Sequence, residues 1–265
     1  GGCANKNLVR IGGGNLKSIV VVIVMAIFAY MTLRGLIGLA RVELESFSNV
    51  ELAQMGLKSQ GLIDILALLV GSEVENLSVG FSVIVTTFLL VYCFKDSNFR
   101  SSAANIFGGI LIGALVPLGW WVTGVLGFDD FEPTALFSFT FVSPAGESIQ
   151  YLMTYTGATI NFGIATVGGV IVGSFLVSIT SGSFHVEAFS EKEDMKRHLF
   201  GAAIMGIGGV LALGCTVGQG ITGMSTLALG SLIALISIIV GGLFGFKYLE
   251  EGNIVGAIKV IFNRN

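Results

Sequence analysis

An all-α fold, specifically a polytopic membrane helix bundle with internal repeats and short re-entrant or broken helices, is what three features of this sequence predict. Mean hydropathy is +0.87, with 53% hydrophobic and 12% charged residues, whereas a soluble domain carries about 25% charged. No Asp, Glu, Lys or Arg occurs in 101–128, 148–186 or 199–246, and each stretch exceeds the roughly 20 residues that cross a bilayer as a helix. Two glycine-flanked cysteines, Cys3 and Cys215, each precede a long apolar run and a serine at nearly the same distance, Ser18 and Ser231. In membrane proteins, interrupted helices at corresponding places in two halves point to a transport site.

The spans follow in order. The first runs from Ser18 to about Leu33 and stops at Arg34. A more polar connector covers 41–60. The apolar piece Gly61–Gly71, interrupted by Asp64, is too short to cross alone and reads as a half-helix or an interfacial helix. Leu77–Phe94 follows, then a charged loop, Lys95–Arg100. The next span is about Ala104–Val125, with Trp120 and Trp121 near its end, where interface aromatics belong. Gly127–Thr159 reads as a long loop carrying Asp129, Asp130, Glu132 and Glu147 but no cation. Asn161–Ser181 is another span. A charged loop then leads to Leu199–Leu213, the Cys215 turn and Ser225–Phe246.

Lys95, Arg100, Lys192, Lys196, Arg197, Lys247, Lys259 and Arg264 all fall in the loops 95–100 and 187–197 or in the C-terminal tail. The positive-inside rule makes those segments, with the C-terminus, cytoplasmic and the acidic loop external. At about 1.5 Å per residue, Leu199–Leu213 would cover only ~22 Å of a ~30 Å core, leaving Cys215 at membrane depth. Backbone that is not helical survives there only when buried in protein or facing a cavity. The 38 glycines against 3 prolines fit close helix packing, because small residues let helices approach in lipid. The chain is read as one transmembrane transport domain over 1–265, with repeat halves of about 1–100 and 101–265. It starts at Gly1 inside the first cysteine turn, so upstream sequence is expected and the lack of a signal peptide carries no weight.

The candidate chemistry lies in the two turns. Gly214, Gly218, Gly220 and Gly223 should break the helix after Leu213 and permit positive φ. A helix restarting beyond them would aim unpaired N–H groups and its positive dipole end at the turn, which suits an anion. Cys215 adds a weak S–H donor, and Thr216 and Gln219 add ordinary ones. The first turn offers Cys3 and Asn5, with Lys6, Arg10 and Lys17 read as interfacial anchors more than as anion ligands. Cys93, in a plain apolar run, behaves as a small hydrophobe. His185 and His198 flank the charged loop and are read as facing solvent. Nucleic acid is excluded by the lack of a basic patch with interleaved aromatics. No cofactor is expected, and three cysteines with no CxxC or His-Cys cluster argue against zinc.

The run Gly214-Cys215-Thr216-Val217-Gly218-Gln219-Gly220-Ile221-Thr222-Gly223 resembles the signature turn of the sulfur transport (YeeE/YedE) family of bacterial inner-membrane proteins. Gly2-Cys3, with Leu8-Val9-Arg10 and Gly12-Gly13-Gly14-Asn15-Leu16-Lys17-Ser18, is similar to the family's earlier repeat. The resemblance implies import of thiosulfate or a related sulfur-containing anion across the bilayer, with Cys3 and Cys215 as pathway thiols on short re-entrant helices. It also implies no enzymatic activity, and a cytoplasmic sulfur-carrier or sulfurtransferase partner is expected. Many relatives carry His where Gln219 stands, so a protonation role there is absent. A further N-terminal cysteine of the family lies upstream, and Cys93 does not match it. The alternatives are a membrane thiol enzyme resembling a sulfurtransferase, and a non-catalytic subunit of a larger complex.

Overall fold

A computed structural model describes residues 2–57, 59–71, 74–128, 136–253 and 256. Asp129, Asp130, Glu132, Lys259 and Arg264, used above to orient the chain, lie outside the described residues. The described residues are mostly helical: α1 (Ala4–Gly12), α2 (Leu16–Arg34), α3 (Leu36–Ser48), α4 (Leu62–Val70), α5 (Val74–Lys95), α6 (Ser97–Ser101), α7 (Ala103–Trp121), α8 (Val142–Met153), α9 (Phe162–Thr180), α10 (Lys192–Leu211) and α11 (Leu229–Glu251). Among the described residues, five helical stretches are long and apolar enough to cross a membrane: Leu16–Arg34, Leu77–Lys95, Ala103–Leu126, Phe162–Thr180 and Leu229–Glu251. The predicted all-α polytopic bundle is what forms.

Helix α2 is the centre of the bundle. Its buried Ser18, Val21, Met25, Ala29 and Thr32 recur every three or four residues, the stripe one helix face requires. Most are small, so neighbours come close. A Cβ on Gly206 of α10 would meet the Met25 carbonyl oxygen, and would lie 3.0 Å from the Ala29 nitrogen. A Cβ on Gly146 of α8 would lie 3.1 Å from the Ala26 carbonyl oxygen. Lipid offers no hydrophobic drive for helices to associate, so this backbone-to-backbone packing supplies the attraction.

Three expectations need correction. The loop placed over Gly127–Thr159 contains α8, whose Val142, Pro144, Ala145 and Gly146 are buried. One buried turn was too short a stripe to read, and Pro144 is tolerated because the first turn of a helix needs no N–H donor there. The connector over 41–60 contains most of α3. The span placed from Leu199 begins seven residues earlier, at Lys192. Glu193 and Asp194 in its first turn suit the positive end of the helix dipole. At 20 residues, α10 is about 30 Å long, so shortness does not hold Cys215 at membrane depth.

Gly206→Ala should force α10 away from α2 and cost about 1–3 kcal/mol, the usual penalty for overpacking. Gly208→Ala, which meets open space, serves as the control. Thermal unfolding of both variants in one detergent checks this: equal midpoints would show that the close approach is not limiting.

Candidate functional site

Cys3 is the N-cap residue of α1 and its side chain makes no cap hydrogen bond, at the end where a helix's first N–H groups have no intrahelical partner. Helix α1 buries Ala4, Leu8 and Gly12 on one face and packs on α2 and α9. Asn7, 1% exposed, shares that face. Its Nδ2 donates to the carbonyls of Gly2 at 3.3 Å and Cys3 at 3.1 Å, and its Oδ1 accepts from the Ser18 hydroxyl at 3.1 Å. Gly13 and Gly14 then turn the chain, and Asn15 caps α2 by accepting from the Ser18 N–H at 2.9 Å. Gly14 has φ +95°, and a Cβ there would lie 2.5 Å from the His185 carbonyl oxygen. Glycine is needed at that position for both reasons.

Around Cys215 the same plan recurs. The turn lies earlier than expected, at residues 212–215, and residues 216–225 are helical, with π geometry over Gly218–Gly223. The positive φ belongs to Leu213 (55°) and not to the neighbouring glycines. Helix therefore restarts directly after Cys215, and the thiol stands at a helix N-terminus just as Cys3 does. Gln219, four residues on, mirrors Asn7. Its Nε2 donates to the Ala212 carbonyl at 2.6 Å, and its Oε1 accepts from the Ser231 hydroxyl at 2.7 Å. Twelve residues separate Cys3 from Asn15, whose backbone bridges to Glu187; thirteen separate Cys215 from Ala228, whose backbone bridges to Gly61. The π turns absorb the extra residue, since each π hydrogen bond spans one residue more than an α bond.

The candidate residues are thus divided. Gly218 lets the helix lie against Thr140, Gly220 faces Leu235, and Gly214 is buried. Thr216 is exposed and Asn5 half-buried. Cys215 is 8% exposed, with its sulfur 4.0 Å from the Thr140 hydroxyl oxygen. Ala4, next to Cys3, and Cys215 belong to one contiguous buried cluster that also holds Phe141 and Val142. Cys93 is exposed on α5.

Sequence reasoning missed the segment that reaches Cys215. Thr222 donates to the Phe139 carbonyl at 2.8 Å, Ser138 to the Val116 carbonyl at 3.0 Å and Thr123 to the Phe137 carbonyl at 2.7 Å. The alternation Phe137-Ser138-Phe139-Thr140-Phe141 is the period-two signal of extended chain, and it was there to be found.

A second polar region was also missed. The α1–α2 turn pairs with 185–187 through backbone bonds, Leu16 N–H to the Glu187 carbonyl at 2.8 Å and His185 N–H to the Gly13 carbonyl at 3.2 Å. A cavity of about 690 Å³ opens there, lined by Asn7, Arg10, Ser178, His185, Glu187 and His198 among others. Lys17 pairs with Glu187 at 3.0 Å and lies 3.8 Å from Asp194. The Lys17 ammonium, through that hydrogen bond and its charge, holds the Glu187 carboxyl below its ordinary range, with His185 and Arg10 adding to the effect.

Fold and site together define a multi-pass helical membrane protein with two thiol-tipped helical hairpins. The chain belongs to the sulphur transport family, whose profile matches residues 1–244. It is similar to the thiosulfate transporter TsuA of Escherichia coli (strain K12), with 30% identity over 112 residues. That stretch covers 42% of this chain and 30% of the relative, so the chain matches less than a third of that protein's length.

Glu187→Gln should lower the thermal midpoint at pH 7, because Lys17 loses its carboxylate partner. A depressed carboxyl contributes stability above its unfolded pKa and loses it as pH falls through the lower folded value. The gap to the parent protein should therefore close as pH drops below about 4. A gap that stays constant on acidification would refute the pairing.

Proposed function

We propose that this protein imports thiosulfate or a closely related sulfur oxyanion across a bacterial inner membrane, with Cys3 and Cys215 on its path. One observation carries the reading. Each cysteine stands at the N-terminus of a short helix, and four residues on a carboxamide is tied to a serine of the following helix. An anion reaching either tip meets unpaired backbone N–H groups, the positive dipole end and a thiol. A neutral S–H donates weakly, whereas a thiolate would repel the anion. Binding built from such donors, without a fixed cation, is weak enough to allow release.

The family supports sulfur transport, and the similarity to TsuA favours thiosulfate within it. The two hairpins are read as equivalent parts of repeat halves of about 1–100 and 101–265, entering the membrane from opposite faces as re-entrant helices. By the cation distribution, 95–100, 187–197 and the C-terminus face the cytoplasm. A cytoplasmic sulfur-carrier or sulfurtransferase protein is the natural receiver. Moving a dianion inward against 100 mV, inside negative, costs ~4.6 kcal/mol, twice the ~2.3 per charge. Rapid consumption or coupled protons must offset that.

Labelled thiosulfate uptake by cells expressing Cys3→Ala or Cys215→Ser at equal membrane levels is the test. Each variant should lose at least about tenfold in rate, corresponding to ~1.4 kcal/mol at the barrier. Parental rates in both would remove the thiols from the mechanism.

A further inference from the structure

We propose that Thr140 is a positioning residue for Cys215: its hydroxyl donates to the sulfur and so turns the S–H bond toward the transported anion. The inference rests on the thiol path proposed above and adds to it a residue from a distant part of the chain. The Thr140 hydroxyl oxygen lies 4.0 Å from the Cys215 sulfur, and either atom could be the donor. Among the described residues this is the one hydrogen-bonding contact of either side chain.

Two arrangements are open, and the cost of the idle proton separates them. If the thiol donated, the threonine proton would have no acceptor, and a hydroxyl held away from water without a partner costs free energy. If the hydroxyl donates, the idle group is an S–H, a weak donor that behaves as a small hydrophobe. The second arrangement leaves less unsatisfied. Thr140 then engages a lone pair of the sulfur, and the thiol proton points elsewhere. Cys215 is 8% exposed, so the direction of that one bond decides whether an anion can use it.

The surroundings hold the two groups in register. Gly218 lies three residues beyond Cys215, and a Cβ there would stand 2.6 Å from the Thr140 hydroxyl oxygen. A larger residue would push the hydroxyl off the sulfur. Thr140 itself sits between tied neighbours. The Phe139 carbonyl accepts from Thr222 at 2.8 Å, and the Phe141 carbonyl accepts from the Ala145 N–H at 3.1 Å as α8 begins. Ser138 is anchored on the Val116 carbonyl at 3.0 Å. A side chain carried on backbone fixed at both flanks loses little further freedom when it is held in one rotamer. A thiol aimed in advance then costs less ordering when the anion arrives.

Thiosulfate uptake kinetics at equal membrane levels test the proposal through a double-mutant cycle with Cys215→Ala. Thr140→Val should raise KM about threefold, the scale of one weak hydrogen bond, with the maximal rate little changed. Thr140→Ser keeps the hydroxyl and should behave as the parent protein does. In the Cys215→Ala background Thr140→Val should change nothing further, because a residue acting through the sulfur loses its effect with it. Infrared spectra of the purified protein supply a readout that a packing role would not move. A difference spectrum against Cys215→Ser isolates the Cys215 S–H stretch, which falls in frequency when the thiol donates. Without substrate, Thr140→Val should not raise that band, and thiosulfate should lower it in the parent protein. An unchanged KM in Thr140→Val, additive losses in the cycle, or a band that rises once the hydroxyl is gone would each overturn the proposal. Parental KM and rate in Cys215→Ala alone would instead sink the thiol path, and the substrate-free band then judges Thr140 by itself.

Discussion

Backbone polar groups cannot be left unpaired in an apolar bundle, and the structure meets that constraint with a carboxamide-to-serine clamp used twice. A helix that starts or stops inside hydrocarbon exposes carbonyls and N–H groups that water would otherwise satisfy. Asn7 takes up the carbonyls of Gly2 and Cys3 and is itself fixed by Ser18. Gln219 takes up the Ala212 carbonyl and is fixed by Ser231. Side-chain donors take up carbonyls at each break, and a cysteine stands at the start of the helix that follows. On the transport reading proposed above, that asymmetry is what favours negative charge at each break.

The clamps work because the hairpins are held rigidly on both flanks. A stripe of small residues on α2 lets α10 and α8 approach to backbone contact. Segment 137–141 is tied by hydroxyl groups to α7 and to the helical turns after Cys215. At the end of the bundle where α2 and α10 begin, a short stretch of backbone pairing and the Lys17, Glu187 and Asp194 cluster close the α1–α2 turn. The exposed ion pairs there contribute little by themselves. Their value is to fix the geometry of a polar chamber directly behind Asn7 and Ser18.

The differences between expectation and structure have a common cause. Gly214–Gly223 was read as a broken turn because glycine is a poor helix former in water. Within the bundle three of those glycines serve helix packing instead, against Thr140, Leu235 and Ser231, and the strained backbone falls on Leu213. Helix α8 was hidden because its buried residues, Val142 to Gly146, span barely one turn and leave no periodic pattern. His185 is exposed, as its loop position suggests, while His198 is half-buried, and nothing local announces that both line one cavity.

Composition and the length of uncharged runs were enough to specify a helical membrane bundle, since lipid admits only structures that satisfy their own backbone. The nearly equal spacing of cysteine and serine in two places was likewise legible, because a repeated local motif is written contiguously in the chain. Tertiary structure alone decided which polar side chain guards each break, what segment lies against Cys215, and that Arg10, Ser178, His185 and His198 share one chamber. The chamber joins Arg10 to residues more than a hundred positions away, and Thr140 lies 75 positions from Cys215; such contacts arise from helix packing that no short window of sequence encodes.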